Sequence, residues 1–565
     1  MTTQSTGPVP SEHLEYAVVG AGVSGLYTAW RLLSDQPTRR VAVFEQGDRH
    51  GGRLLTWLPL GREGGLRAEL GGMRFFAQQQ LVWHLLGELG FGPDIIKFWV
   101  GGDNLRLLLR GRSTPLDTPD PTRRYAVPAS DEGKQAGAIL AHTLQEVLRT
   151  PENRAVIDKY LDGREPTSRE QWDAIKPYLS WQGRRLWDTG FWNMLSEMLS
   201  SETYQYLCDA FGYYSLAANW NAAEAMQSVY LDFTQDPDYQ TLAQGYGALP
   251  DKLAEEVNRL AGDGSIRLNT GLISFDQGDR EGSWTLLMNG PDGRYTVEAE
   301  HLVLALPRRS LELLAPTPAF DLDASTDLRR LVESVQPYPA FKLFLFYETR
   351  WWERWGIMHG RSVCDLPIRQ TYYFAPDPTA EDAMAAGPGL LMASYSDARA
   401  VGFWQGLVPP RDEWESGRRD LRESMAALAR STGLLSAAGQ APEPPPHLHK
   451  ASTGMLEHAK AQLALLHGIA PECIPDPQVG AFADWGLDPF GGGWNFWQPH
   501  VDVHRAMQEI RAPLGRRQSV YVVGDAYSGE QGWVEGALTS AEVTLQTHLG
   551  LPRPDWLPSG YYLGW

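Results

Sequence analysis

The stretch from Glu15 to Arg53 constrains this chain more than any other. It reads EYAVVGAGVSGLYTAW and then, after a short gap, RRVAVFEQGDRHGGR. Tyr16 to Val19 is apolar throughout, as a buried strand is, and Val23 to Leu33 continues at helical spacing. Between them Gly20, Gly22 and Gly25 fall in the G-x-G-x-x-G pattern. Gly20 permits the tight turn, Gly22 lets backbone approach a pyrophosphate, and Gly25 lets the helix cross close to the strand. The helix start at Val23 and Ser24 offers free N–H groups and a positive dipole end to phosphate. A second apolar strand, Val41 to Phe44, runs into Glu45 and Gln46. A carboxylate at Glu45 can accept both ribose hydroxyls of an adenosine and repels a 2′-phosphate. Glycine triplets alone are common in loops. Strand, glycines, helix, strand and acid in this order specify a Rossmann-type dinucleotide-binding unit.

With 565 residues the chain can bury a large core and should split into roughly two to four domains. A net charge of −19 disfavours nucleic acid and anionic membrane surfaces as partners. Cys208, Cys364 and Cys473 are far apart and odd in number, which gives neither a disulfide framework nor a zinc spacing. No metal site is expected. The N-terminus lacks an apolar signal region, and no run of apolar residues is long enough to span a membrane. The expected location is cytoplasmic.

Further along, Gly51, Gly52 and Arg53 suit a loop hugging a cofactor, with Arg53 placed for a phosphate or else solvated on a turn. In RAELGGMRFF, Gly71 and Gly72 allow close approach to a flat ring, and Arg74 sits among the apolar Met73, Phe75 and Phe76. A guanidinium so placed needs a partner, and a carboxylate is its bidentate match. Residues from about 134 to 230 carry apolar positions at helical spacing; the aromatics there, Trp220 and Tyr214 among them, are either core or pocket wall. Asp209 and Asp232 are placed either on the surface or against a basic substrate side chain. IRLNTGLISF and HLVLALP read as strands returning to the nucleotide unit. PAFKLFLFYETRWW sets Lys342 inside an apolar strand, either facing solvent by alternation or buried with a function. Tyr372 and Tyr373 are adjacent on a strand and face opposite ways. WGLDPFGGGWNFWQPH, beginning at Trp485, alternates glycine and tryptophan, and SVYVVGDAYS ends a strand at Gly524 and Asp525.

Taken with GDAYSGEQGWVEGAL, the glycine fingerprint, the GGR and the LGGMRF segment resemble flavin amine oxidases, and most of all L-amino acid oxidases, over residues 14 to 550. The resemblance implies an α/β (mixed α+β) fold. Its Rossmann-type FAD-binding domain would be discontinuous, over 12–62, 242–307 and 500–550. A sheet-containing substrate domain would take 63–133, 231–241 and 308–499, with a helical domain at 134–230 and a tail at 551–565. It implies FAD held by Gly20, Gly22, Val23, Ser24, Gly25, Glu45, Gln46, Gly52, Arg53, Gly71, Gly72, Met73 and Arg74. Ile273 would face the adenine, Trp485 would pack on the ring, and Gly524, Asp525, Gly532, Trp533 and Val534 would complete the site. No cysteine stands where some relatives bond the flavin, so the FAD is expected to be noncovalent.

Roles carried by the same resemblance place the substrate α-carboxylate on Arg74, with Tyr372 or Tyr373 donating to it. The Gly532 carbonyl would direct the amine, Trp533 would flank the substrate, and Lys342 would hold a water near flavin N5. Trp220 and Tyr214 are the candidate pocket walls. The implied reaction is oxidative deamination of L-amino acids by O2, with hydride transfer from Cα to flavin N5, giving a 2-oxo acid, ammonia and hydrogen peroxide. The implied assembly is a homodimer. Readings in competition are a decarboxylating L-amino acid monooxygenase, a polyamine or monoamine oxidase of the same fold, and a non-catalytic FAD-binding protein.

Overall fold

The computed structural model describes residues 12–61, 66–233, 238–374, 388–431 and 441–565, and of residues 232 and 233 the backbone only. β1 (His13–Val19) lies inside a seven-stranded sheet. It pairs in parallel with β2 (Val41–Phe44) on one side and with the end of the strand Gly293–Leu304 on the other, Val19 lying opposite Phe44 and Leu304. Strand Val520–Val522 adds in parallel beyond Leu302 to Leu304. The antiparallel strands Trp284–Gly290 and Gly271–Gln277 complete that flank. A strand buried on both faces needs no alternation, which is why Tyr16 to Val19 and Val41 to Phe44 are continuous apolar runs.

α1 (Val23–Asp35) returns across the sheet and packs between the helices Ala248–Ala261 and Val534–Thr547. Polar groups inside this layer are paired: Glu542 accepts from Tyr27 Oη at 2.6 Å and from Arg31 Nε at 3.0 Å. This ion pair ties the first helix to the last, 511 residues on.

An eight-stranded sheet runs in the order His449–Lys450, Val479–Asp484, Ala340–Tyr347, Gly389–Asp397, Gln370–Phe374, Gly360–Cys364, Arg106–Leu109, Arg112–Pro115. Every position of Ala340–Tyr347 is buried. Ala340, Phe344 and Phe346 join a cluster with Met73, Tyr372 and Trp485. Phe341, Leu343 and Leu345 join another with Tyr373, Trp404 and Met455. Lys342 is therefore not at a solvent-facing position, because both faces of its strand are covered by remote segments.

Helices Ala136–Leu148, Pro151–Leu161, Arg169–Ile175, Phe191–Met198, Ser201–Ala210 and Ala222–Phe233 build a third layer around Trp172, Phe191, Met194 and Met226. It meets the sheets through Tyr338, Val363 and Phe496. Among the described residues no helix is long and apolar enough to cross a membrane.

Candidate active site

The turn from β1 to α1 is held as tightly as the glycine spacing demands. Gly20 has φ +101°, and a Cβ there would stand 2.6 Å from the Ala305 carbonyl oxygen. A Cβ on Gly25 would lie 2.0 Å from the Gly20 oxygen, so the helix could not cross the strand. α1 begins after Gly22 with no side chain capping its first N–H groups. The Glu45 carboxylate is fixed by the N–H groups of Ala21 at 2.9 Å and Gly47 at 2.8 Å. Gly51 donates to the Ala21 carbonyl at 2.8 Å and lays Gly52 beside Gly22.

Arg53 crosses from this loop to the far end of the chain, donating to the Gly493 carbonyl at 3.0 Å and to the Asp525 carboxylate. The other Asp525 oxygen accepts from Gly532 N at 3.3 Å. Beyond it starts the helix Val534–Thr547, again without a side-chain cap. These groups border one cavity of about 680 Å³, within the usual range of ligand sites. A Cβ on Gly22 or on Gly524 would have a single neighbour, at 3.9 Å, and would project into that space. Two uncapped helix starts, a carboxylate held for hydroxyls and a glycine-lined cradle fit an adenine dinucleotide with its pyrophosphate.

The other end of the cavity is aromatic and cationic. Arg74 follows the Gly71–Gly72 turn, where Gly72 N donates to the Arg53 carbonyl at 2.9 Å. Its guanidinium lies 4.3 Å from the Tyr239 ring centre and 5.4 Å from that of Phe98. Its Nη1 donates to Tyr372 Oη at 2.9 Å. Among the described residues no carboxylate lies at ion-pair distance from it. Burial alone would lower the pKa of the Arg74 guanidinium; the phenol oxygens of Tyr372, Tyr239 and Tyr213 outweigh it and keep the charge on. Burial pushes Tyr372 up, but the charges of Arg74 and Arg361 prevail and bring it below the ordinary phenol value.

Lys342 reaches the same space from the second sheet. Its Nζ donates to the carbonyls of Glu69 at 2.9 Å and Gly71 at 2.6 Å and sits 4.6 Å from the Tyr395 ring centre. Burial pushes this amine down to about 7; the Glu69 carboxylate pulls the other way and the Arg74 charge adds to the fall. The amine therefore changes protonation near neutral pH, unlike an ordinary lysine.

Every residue expected to hold the cofactor lines this cavity except Gly25, whose place is the helix–strand crossing. Arg74, Lys342, Gly532 and Trp533 line it as well. Tyr372 does not; it stands behind Arg74, to whose guanidinium it is bonded, and beside the Tyr395 ring. Tyr373 points to the opposite face of the sheet, bonded to Ser362 Oγ at 3.1 Å and His467 Nε2 at 2.9 Å. Trp220 is also outside, stacked at 4.0 Å on Phe496, which does line the cavity. Tyr214 is held between the guanidinium groups of Arg369 and Arg399, at 3.9 and 4.0 Å. Asp209 binds Tyr125 Oη at 2.9 Å, away from the cavity, and the Asp232 side chain lies outside the described residues.

Sequence reasoning missed the walls Tyr239 and Tyr395, and did not single out Tyr213 among the helical-region aromatics or Trp494 within its glycine–tryptophan stretch. Tyr213 meets Tyr395 edge-on at 5.3 Å and Trp494 at 5.9 Å. Of Tyr239, Tyr395 and Trp494, Trp494 had a usable signal, since it alternates with Phe496 along the strand Trp494–Trp497. Among the described residues no cysteine lines the cavity.

The profile of the flavin-containing amine oxidoreductase family matches residues 23–438. Achacin of Lissachatina fulica is 25% identical, over 96% of this chain and 94% of its own. Aplysianin-A of Aplysia kurodai is 25% identical, over 95% and 90%. An L-amino-acid oxidase of Sistrurus catenatus edwardsii is 25% identical, over 97% and 88%. A wild-type putrescine oxidase structure with bound putrescine has a TM-score of 0.61 at 18% identity, over 95% of this chain and 99% of that one; that likeness speaks for the fold.

Proposed function

The chain belongs to the flavin-containing amine oxidoreductase family, and from that premise we propose that it is an L-amino acid oxidase, converting L-amino acids and O2 to 2-oxo acids, ammonia and hydrogen peroxide. The observation that carries this reading is Arg74: a cavity-facing guanidinium, backed by Tyr372 and Tyr239, with no carboxylate of the described protein to satisfy it. An amine without a carboxyl group would leave that charge unpaired, which is costly where water is scarce. The α-carboxylate of an amino acid fills the place.

The glycine cradle would hold FAD: Glu45 would accept from its ribose, the start of α1 and Arg53 would meet its pyrophosphate, and Arg74 and Lys342 line the remainder of the same cavity. When bound it supplies the acceptor for the hydride from Cα and returns the electrons to O2 as hydrogen peroxide. The chain's own residues do the rest. Arg74 fixes the carboxylate, and Tyr372 holds Arg74. The Gly532 carbonyl directs the substrate amine, which selects the L-enantiomer by presenting its Cα–H to one face only. Near neutral pH Lys342 is able to hold a proton or a water beside the reacting atoms. Tyr213, Tyr395, Trp494 and Trp533 give the cavity aromatic walls. Cytoplasmic residence and a homodimer belong to the same proposal.

Arg74→Ala tests it. Anaerobic flavin reduction by L-amino acids should lose roughly 2–5 kcal/mol of transition-state binding, a factor of about thirty to several thousand in rate over affinity. Equal reduction of the variant and the parent by an L-amino acid would overturn the reading. A parent reduced by amines and not by amino acids would put a polyamine or monoamine oxidase in its place.

A further inference from the structure

Behind the cavity lies one fully buried amide that neither the cofactor nor the substrate is positioned to touch. Gln370 opens the strand Gln370–Phe374. Its Oε1 accepts from Arg361 Nη1 at 2.8 Å and from Tyr372 Oη at 3.3 Å, and its Nε2 donates to the Gly212 carbonyl at 3.2 Å. The amide orientation follows from its partners, because the reversed amide would set N–H groups against a guanidinium. The chain of bonds thus runs from Arg361 through Gln370 and Tyr372 to Arg74.

Gly212 begins a loop that contributes to the cavity wall beside this clamp. It has φ +81°, and a Cβ there would lie 2.6 Å from Gln370 Cγ, so the loop and the amide are in direct contact. The next residues, Tyr213, Ser215 and Leu216, line the cavity. The N–H groups of Tyr214 and Ser215 are pinned by the Asp397 carboxylate at 2.8 and 2.9 Å. The loop is thus held to the sheet by hydrogen bonds to Asp397 and from Gln370, and Gln370 is also bonded to Tyr372, the phenol that holds Arg74.

We propose that Gln370 is a positioning residue that joins the carboxylate clamp to the aromatic wall, so that it sets side-chain selectivity as well as carboxylate affinity. This rests on the reading of Arg74 as a carboxylate anchor. Gln370→Met keeps the length of the side chain and removes all three hydrogen bonds. Gly212→Ala strains the same contact from the loop, at a residue that does not line the cavity. Two quantities are read on the FAD-loaded enzyme: the affinity for benzoate, an aromatic carboxylate that cannot be oxidised, from its perturbation of the flavin spectrum, and the ratio of kcat/KM for L-phenylalanine over L-alanine. Both variants are expected to weaken benzoate by roughly tenfold, the effect of losing about one buried polar contact, and to move the selectivity ratio in the same direction. A general loss of folding would lower active enzyme without moving that ratio. Benzoate affinity and ratio both within twofold of the parent in whichever variant folds would overturn the proposal. If Arg74→Ala also leaves benzoate binding unchanged, the clamp reading itself fails; if Arg74→Ala weakens it and the other two variants do not, only the role of Gln370 falls.

Discussion

Lys342→Met should change how stability depends on pH. In the folded chain burial first, and the Arg74 charge after it, push the Lys342 amine down to about 7 against the pull of Glu69. In the unfolded chain a lysine titrates near 10.4, as model peptides do (about 10.4). The folded value is the depressed one, so between roughly pH 7 and pH 10 the unfolded state binds more protons and stability rises with pH. At about 1.36 kcal/mol per unit, the rise over that window is on the order of 4 kcal/mol. Methionine is of similar length and does not titrate. The substitution also removes the bonds to the Glu69 and Gly71 carbonyls, 2.9 and 2.6 Å long, at a cost of about 1–3 kcal/mol that does not vary with pH. The stability difference, variant minus parent, should therefore be most favourable to the variant at pH 6 and fall by about 4 kcal/mol on reaching pH 10. Urea unfolding followed by tryptophan fluorescence in saturating FAD, at pH 6, 8 and 10, measures it. A difference that stays constant across these values would mean that the buried amine titrates like an exposed one, and the account of Lys342 as changing protonation near pH 7 would be wrong.

Two further outcomes follow from the nucleotide end. Glu45→Gln keeps the shape of the carboxylate but gives up charged hydrogen bonds worth about 1.5–3 kcal/mol; the FAD dissociation constant, read by flavin fluorescence in ultrafiltrates, should rise roughly ten- to hundredfold. Acid precipitation should release all of the yellow chromophore to the supernatant, since no cysteine of the described cavity stands ready to bond it; colour retained in the pellet would contradict noncovalent binding.

What sequence could and could not reveal here follows the reach of each interaction. The nucleotide unit was legible because most of its determinants are local: Gly20, Gly22, Gly25 and Glu45 act within one strand–turn–helix–strand stretch and a Cβ on Gly25 would meet the Gly20 oxygen, although Gly20 is also confined by the Ala305 carbonyl from far along the chain. Arg74 was legible for a related reason, since a guanidinium between Met73 and Phe75 needs an anion wherever the segment goes. Lys342 was ambiguous because AFKLFLFY suits a half-exposed strand as well as a buried one; the decision came from Met73, Trp485, Trp404 and Met455, which lie far away in the chain. Alternation said that only one of Tyr372 and Tyr373 could face the clamp, but which one depends on the side of the sheet on which the Gly71–Arg74 turn passes. Even then Tyr372 serves Arg74 and not the cavity directly, a distinction of depth that periodicity does not encode. The same limit applies to Trp220 and Tyr213. Both sit in one aromatic helical region, and burial patterns do not separate the residue that lines a ligand space from the residue that supports it. Gln370 had no sequence signal at all: Tyr372 lies on its own strand and Arg361 on the adjacent one, but the Gly212 carbonyl that completes its bonding arrives from 158 residues away. Residues of that kind become visible only once the fold has brought their partners together, and they are where substitutions should alter selectivity without touching any group that meets the substrate.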